Sequence, residues 1–314
     1  MRVLVTGANG MVGQMLCTVL EQAGHQVVRA VRQSTTADET AIGDVHERTP
    51  WGEVLSSGVD AVVHLAGKTS VTNEVGQTDV AELHRVNALG TAHLGDQCVK
   101  HGVKRFLFVS SVKVLGEGSD RPYRADDPAN PGDDYAASKW EAEQSLWAVA
   151  RDSGMEVSVV RPPLIYGPGV KGNFLRLMQT IDGQRLLPFG AIRNRRSLIY
   201  LGNLTDAINV CLTHPMAAGK TYLLSDGEDV STPELIRRMA NALGRKARLL
   251  PFPVSGMKML GKMLGMKAQV DRLIGSLVVD TAPIRQELDW TPPYTMQEGL
   301  TRTVGWFRHR EIEL

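Results

Sequence analysis

The chain is short of cysteine, of surplus charge and of long apolar runs, and each shortage removes a class of protein. Its three cysteines, Cys17, Cys98 and Cys211, are widely spaced and form no CxxC pair. That argues against a disulfide framework and a structural zinc site, and a reducing, cytoplasmic home is expected. Lys and Arg number 35 against 34 Asp and Glu, so the formal charge of +1 announces no nucleic-acid partner. Any anionic ligand must be met by local charge. No apolar run approaches the ~18 residues of a membrane span, and the start Met1-Arg2-Val3 already lies in a strand pattern. Neither a span nor an export signal is expected. The 8 histidines form no HExxH or comparable cluster, so no metal site is expected. Internal repeats and low-complexity segments are also missing.

What is present is an alternation. Short β-branched runs at Val3 to Thr6, Gln26 to Val31, Ala61 to Leu65, Arg105 to Ser110 and Val157 to Val160 are separated by segments of helical period. In the first of these segments Val12, Met15, Leu16, Val19 and Leu20 would face a sheet. The pattern predicts an α/β, doubly wound parallel sheet (Rossmann), with ligands at the carboxyl ends of the strands. Beyond Arg161 a cluster of Pro162, Pro163, Gly167, Pro168, Gly169 and Gly172 interrupts regular structure and marks a domain crossing. A strand at Leu198 to Leu201 and a helix at Asn203 to Leu212 return to the first domain. The dinucleotide-binding domain is therefore 1–165 with 197–217, and a smaller, discontinuous C-terminal substrate domain is 166–196 with 218–314. Helices are expected at Thr232 to Leu243, capped by Ser231, and at Met296 to Phe307. Ser255 to Lys267 interleaves Met and Leu with lysines; packing on the substrate lobe is favoured over a membrane-surface helix.

Two local patterns carry chemistry. After the first strand, Gly7, Asn9, Gly10, Met11, Val12 and Gly13 form a turn that opens a helix. Gly7 allows the tight turn, Gly10 lets backbone approach a pyrophosphate, and Gly13 lets helix and strand pack closely. Tyr135 and Lys139 stand four residues apart on one helical face, where an ammonium would lower the phenol's pKa and make it a proton donor and acceptor near neutrality.

The glycines three apart, the Tyr135-Ala136-Ala137-Ser138-Lys139 segment and His64-Leu65-Ala66-Gly67 at a strand end resemble the extended short-chain dehydrogenase/reductases of the NAD-dependent epimerase/dehydratase family. Arg161-Pro162-Pro163-Leu164-Ile165-Tyr166-Gly167-Pro168 resembles the branch of UDP-N-acetylhexosamine 4-epimerases and 4-keto reductases. The resemblance implies that Leu65, Ala66, Gly67, Asp44, Val45 and Asn87 serve the cofactor site. It also implies that Ser111 hydrogen-bonds the reacting oxygen, with Ser110 as the alternative. Where the family's 4,6-dehydratases carry Asp-Glu after the catalytic Thr, this chain has Val112 and Lys113, which disfavours dehydration. Arg196, in a segment similar to RDFIYV, and Arg272 are implied to clamp a substrate diphosphate, with Asn173 as a further donor. Val31 stands where the family has an acid for the ribose 2′-hydroxyl of NAD, and Arg32 follows, with Arg29 nearby. Together these favour NADP(H), with NAD(H) as the alternative.

The resulting expectation is a nicotinamide-dependent enzyme acting at C4 of a nucleotide-diphosphate sugar. A UDP-4-keto-6-deoxy-N-acetylhexosamine 4-reductase is preferred, and a 4-epimerase of the UDP-N-acetylglucosamine or UDP-glucose type is the alternative. A noncatalytic NADP sensor is disfavoured because both Tyr135 and Lys139 are present. The resemblance further implies a homodimer through the helices around Asn87 to Val99 and Tyr135 to Val149.

Overall fold

In the computed structural model, which describes residues 1–69 and 79–312, the apolar runs of the first half become one parallel sheet. The strands are β1 (Arg2–Thr6), β2 (Gln26–Val31), β3 (Glu39–Ala41), β4 (Ala61–His64), β5 (Arg105–Val109), β6 (Glu156–Arg161), β7 (Leu164–Tyr166), β8 (Arg196–Tyr200), β9 (Lys220–Leu223) and β10 (Asp229–Val230). The helices are α1 (Met11–Gln22), α2 (Gly52–Leu55), α3 (Val80–His84), α4 (Gly90–Lys100), α5 (Asp134–Ser153), α6 (Gly172–Asp182), α7 (Leu201–Thr213), α8 (Thr232–Ala242), α9 (Val254–Met263), α10 (Lys267–Ile274), α11 (Ala282–Leu288) and α12 (Met296–Ile312).

The main sheet has seven strands in the order β3-β2-β1-β4-β5-β6-β9, all parallel. Its strands read as continuous apolar runs because both faces are covered. Alternate residues go to opposite layers. Val3 and Val5 join Leu16, Leu20, Leu204 and Ile208 of α1 and α7, while Leu4 joins Leu94, Cys98, Ala142 and Leu146 of α4 and α5. Order reverses at β1, whose neighbours are β2 and β4, and a crevice for a ligand opens at such a switch point. The register aligns Thr6 with both Ala30 and His64, and His64 with Phe108. The glycine turn, the end of β4 and the two serines after β5 thus meet along one edge.

The face of α1 differs from the sequence expectation. Gly13, Leu16, Cys17 and Leu20 are buried and Val12 packs on the sheet core as expected, but Val12 also touches, and Met15 turns toward, a separate core built by Tyr166, Phe174, Tyr200, Ile236, Leu300 and Phe307. One helix serves two layers, so its apolar stripe is wider than a single sheet requires.

The domain limits also differ. β8, assigned to the first domain, belongs to a three-stranded sheet, β10-β8-β7; β9, assigned to the second, is the last strand of the main sheet. Each segment is too short for its sequence to say which sheet it joins. α7 does return to the first domain, against α1. The Met-rich stretch is two helices, α9 and α10, turning at Gly265 with φ +69°.

Candidate active site

The turn after β1 is shaped by close approach. Gly7 has φ +67°, and a Cβ there would come within 3.1 Å of the Ala66 nitrogen; a Cβ on Gly13 would collide with the Gly7 carbonyl. Asn9 and Gly10 are exposed, and Gly10 caps α1 without a side chain, which leaves the first-turn N–H groups facing outward at a positive helix end. These features fit the diphosphate of a dinucleotide. At the end of β2 the Val31 side chain is buried, so that position itself offers nothing to a ribose. Arg29 is held by Glu21 at 2.7 Å and by Asp38 at 3.4 Å, whereas the largely exposed Arg32 pairs, among the described residues, with Asp44 alone, at 3.8 Å. Val45 is buried against Gly90.

Beside the turn, His64 is fully buried between two hydroxyls. Thr6 Oγ1 lies 2.7 Å from its Nδ1 and accepts from the backbone nitrogens of Leu65 and Ala66; Thr91 Oγ1 lies 3.0 Å from Nε2 and donates to the Asn87 carbonyl. That pattern assigns the proton to Nε2. Desolvation, with the nearby Lys139 charge, pulls the imidazole pKa down to about 3, so the ring is a neutral strut joining β1, β4 and α4. Asn87, in the π-helical turn Arg85–Leu89, is likewise consumed by protein. It accepts from the Lys68 nitrogen at 2.8 Å and donates to the Lys68 carbonyl at 2.8 Å and to Ser138 Oγ at 2.9 Å. It ties the β4 end to α5 between Tyr135 and Lys139.

Ser111, Tyr135 and Lys139 converge. The Ser111 side chain lies near the Tyr135 hydroxyl and favours its deprotonated form, and its Oγ accepts from the Lys113 nitrogen at 3.2 Å. Ser110, buried, has a hydroxyl with no partner among the described residues. Of the two serines, Ser111 is the one that acts on Tyr135. Lys139 is buried with Nζ 4.1 Å above the Phe108 ring. The proton affinities run opposite to the sequence expectation. Burial, reinforced by Asp133, pushes Tyr135 up to about 12 against the smaller pull of Ser111, and burial draws Lys139 down to about 7 while Glu143 resists. The Lys139 ammonium rests on an aromatic face.

A cavity of about 660 Å³ is lined by Glu117, Arg121, Gly132, Arg195 and Arg272, and Ser111, Tyr135 and Lys139 are not among its walls. Glu117 and Gly132 belong to the segments that follow Ser111 and precede Tyr135. Arg196 is not among its walls; its Nη1 donates to the carbonyls of Arg272 at 2.7 Å and Gly275 at 3.2 Å. Asn173 is exposed in the first turn of α6.

Residues 3–225 match the model of the NAD dependent epimerase/dehydratase family. The chain belongs to that family. Among its relatives, a UDP-glucose 4-epimerase of Vibrio cholerae is 41% identical over 97% of this chain and 95% of its own. An N-acetyl-α-D-glucosaminyl-diphospho-ditrans,octacis-undecaprenol 4-epimerase of Escherichia coli O157:H7 is 28% identical over 97% and 94%. The structure of MoeE5 in complex with UDP-glucose and NAD superposes with a TM-score of 0.80 at 25% identity, covering 99% of this chain and 100% of that one.

This member of the NAD-dependent epimerase/dehydratases is an enzyme, and its site uses residues that spacing alone did not single out. His64 and Thr91 fix the β4 end. Lys113 is held by Asp133 at 2.5 Å and Glu117 at 3.0 Å, and the same Asp133 caps α5 through the Ala136 nitrogen, which clamps the Ser111 turn to the Tyr135 helix. An Asp directly before a Tyr-containing helix was a legible capping signal. The pairing with Lys113 was not, because it spans 20 residues of irregular chain.

Proposed function

We propose that this enzyme interconverts C4 epimers of a hexose carried on a diphosphate, with a UDP-sugar as substrate. The observation that carries the proposal is the meeting of Ser111, Tyr135 and Lys139 beside the glycine turn. The 41% identity to a UDP-glucose 4-epimerase supports the sugar and the reaction. Gly7, Gly10, Gly13 and the open N-terminus of α1 would hold a nicotinamide dinucleotide, which supplies the hydride acceptor and donor for C4. Tyr135 takes the C4 hydroxyl proton and later returns it to the oxygen, with Ser111 donating into the same oxygen. Lys139, when protonated, stabilises the phenolate. Arg195 and Arg272, on the cavity wall, are the candidate diphosphate clamp, and Arg196 supports them by holding the α10 end.

A second reading is favoured by one observation. Arg32, exposed and loosely held, is available for a 2′-phosphate, and NADPH would suit reduction of a UDP-4-keto-6-deoxy-N-acetylhexosamine. The purified protein is incubated with UDP-glucose and UDP-N-acetylglucosamine, and separately with the 4-keto sugar and NADPH. Epimer formation supports the first reading, NADPH oxidation the second, and neither would refute both. Arg32→Ala should weaken NADPH far more than NADH in titrations if the second reading holds. The long faces of α4 and α5, with Leu89, Val99 and Trp147 partly or fully exposed, also support a homodimer.

A further inference from the structure

Along the sequence, the exposed large apolar side chains of the described residues stand singly, except at one place. Met259, Leu260, Met263, Leu264 and Met266 crowd into eight residues, with exposures of 61%, 43%, 75%, 69% and 48%. They form the outer side of α9 and its turn into α10. The inner side is already used: Met257 and Gly261, one turn apart, are buried, and a Cβ on Gly261 would meet Val270 of α10 at 2.7 Å. Packing within the chain therefore accounts for the inner face of α9 and leaves the outer one uncovered. Lys258 and Lys262, also one turn apart, border the apolar stripe, and Lys267 follows it. Residues 254–270 contain no Asp or Glu, and the first acid, Asp271, is bonded to Lys267 at 2.8 Å.

We propose that this face docks on an anionic lipid surface. A surface that is apolar and uniformly basic needs a partner that is apolar and acidic at once, which is what the headgroup and acyl boundary of an anionic bilayer offers. A second copy of the chain is a poor occupant, because a two-fold contact would set Lys258 and Lys262 against their own like charges. Among the described residues no helix is long and apolar enough to cross a membrane, so the attachment is peripheral. Ala268, Asp271 and Arg272 of α10 line the 660 Å³ cavity, so docking presents the rim of that cavity to the lipid. The docking does not depend on which sugar or cofactor the site takes.

The test is flotation of the full chain with vesicles of phosphatidylcholine alone or mixed with phosphatidylglycerol. The protein should float only with the mixed vesicles, and the bound fraction should fall about tenfold at high salt and in Lys258→Glu/Lys262→Glu or Met263→Gln/Leu264→Gln. Because Cys17, Cys98 and Cys211 are buried, Met263→Cys can be labelled alone with an environment-sensitive dye, whose emission should shift to the blue on mixed vesicles. Three results would overturn the proposal: wild-type protein that stays down with both vesicles, variants that float as wild type does, or a lipid-free dimer that Met263→Gln/Leu264→Gln converts to monomer. Turnover of a soluble UDP-sugar by the variants is followed in parallel and should match wild type, so a failure of docking is separable from a failure of the proposed chemistry.

Discussion

Buried over the Phe108 ring, the Lys139 amine has lost most of the water that would hold its proton, and its pKa falls from the usual 10.5 to about 7. Between those values the unfolded chain binds a proton that the folded chain lacks. Lys139 therefore costs stability fully below about pH 7, and the cost fades as pH climbs toward 10. Lys139→Met should raise the melting temperature at neutral pH, by ~2–4 °C per kcal/mol relieved, with the gain vanishing at alkaline pH in calorimetry. The same variant should lose turnover, because no charge remains to favour the phenolate. Tyr135, pushed up to about 12, is a protonated phenol at neutrality and needs that help to act as a base. Tyr135→Phe keeps the ring and removes the transferable proton, so turnover should fall by roughly 10²–10⁴ while isothermal titration still records substrate binding.

At the scale of elements, α5 carries the proposed catalytic pair and is anchored at three points. Asp133 caps its start and holds Lys113, Asn87 grips Ser138, and Glu143 forms a two-pronged pair with Arg161 of β6, at 3.0 and 2.6 Å. Glu143 and Arg161 are both buried, and the remaining Arg161 nitrogen donates to the Ala125 carbonyl at 3.0 Å. Glu143→Gln would leave a buried guanidinium without its counter-charge, a loss of about 3–5 kcal/mol that urea unfolding should register. It also withdraws the one charge that raises Lys139, so the alkaline limb of the pH–rate profile should move to lower pH in the fraction that folds. The helix itself was legible from Tyr135 and Lys139 at four-residue spacing. Apart from the Asp133 cap, its anchors were not, because each joins residues at least 18 positions apart across different elements.

For the whole molecule, the proposed homodimer through α4 and α5 uses a surface separate in sequence from the basic apolar face of α9. Light scattering at micromolar concentration should give twice the mass of one chain, and Trp147→Glu, at the partly buried edge of α5, should shift that mass toward the monomer. A monomer in the wild type would remove the proposal. The sequence by itself determined the parallel sheet, the glycine turn and the Tyr135–Lys139 pair, since these follow from period, local steric need and helical spacing. Strand limits agreed to within a residue or two for the same reason: apolar runs end where side chains such as Thr6 capture the next backbone N–H groups. Tertiary structure alone decided the rest. It chose which sheet received β8 and β9, turned Arg196 toward backbone carbonyls while Arg195 and Arg272 lined the cavity, and raised the Tyr135 proton affinity where spacing to Lys139 predicts a fall. Those outcomes depend on which groups lose water and which distant partners face them, and neither quantity is a property of neighbouring residues in a chain.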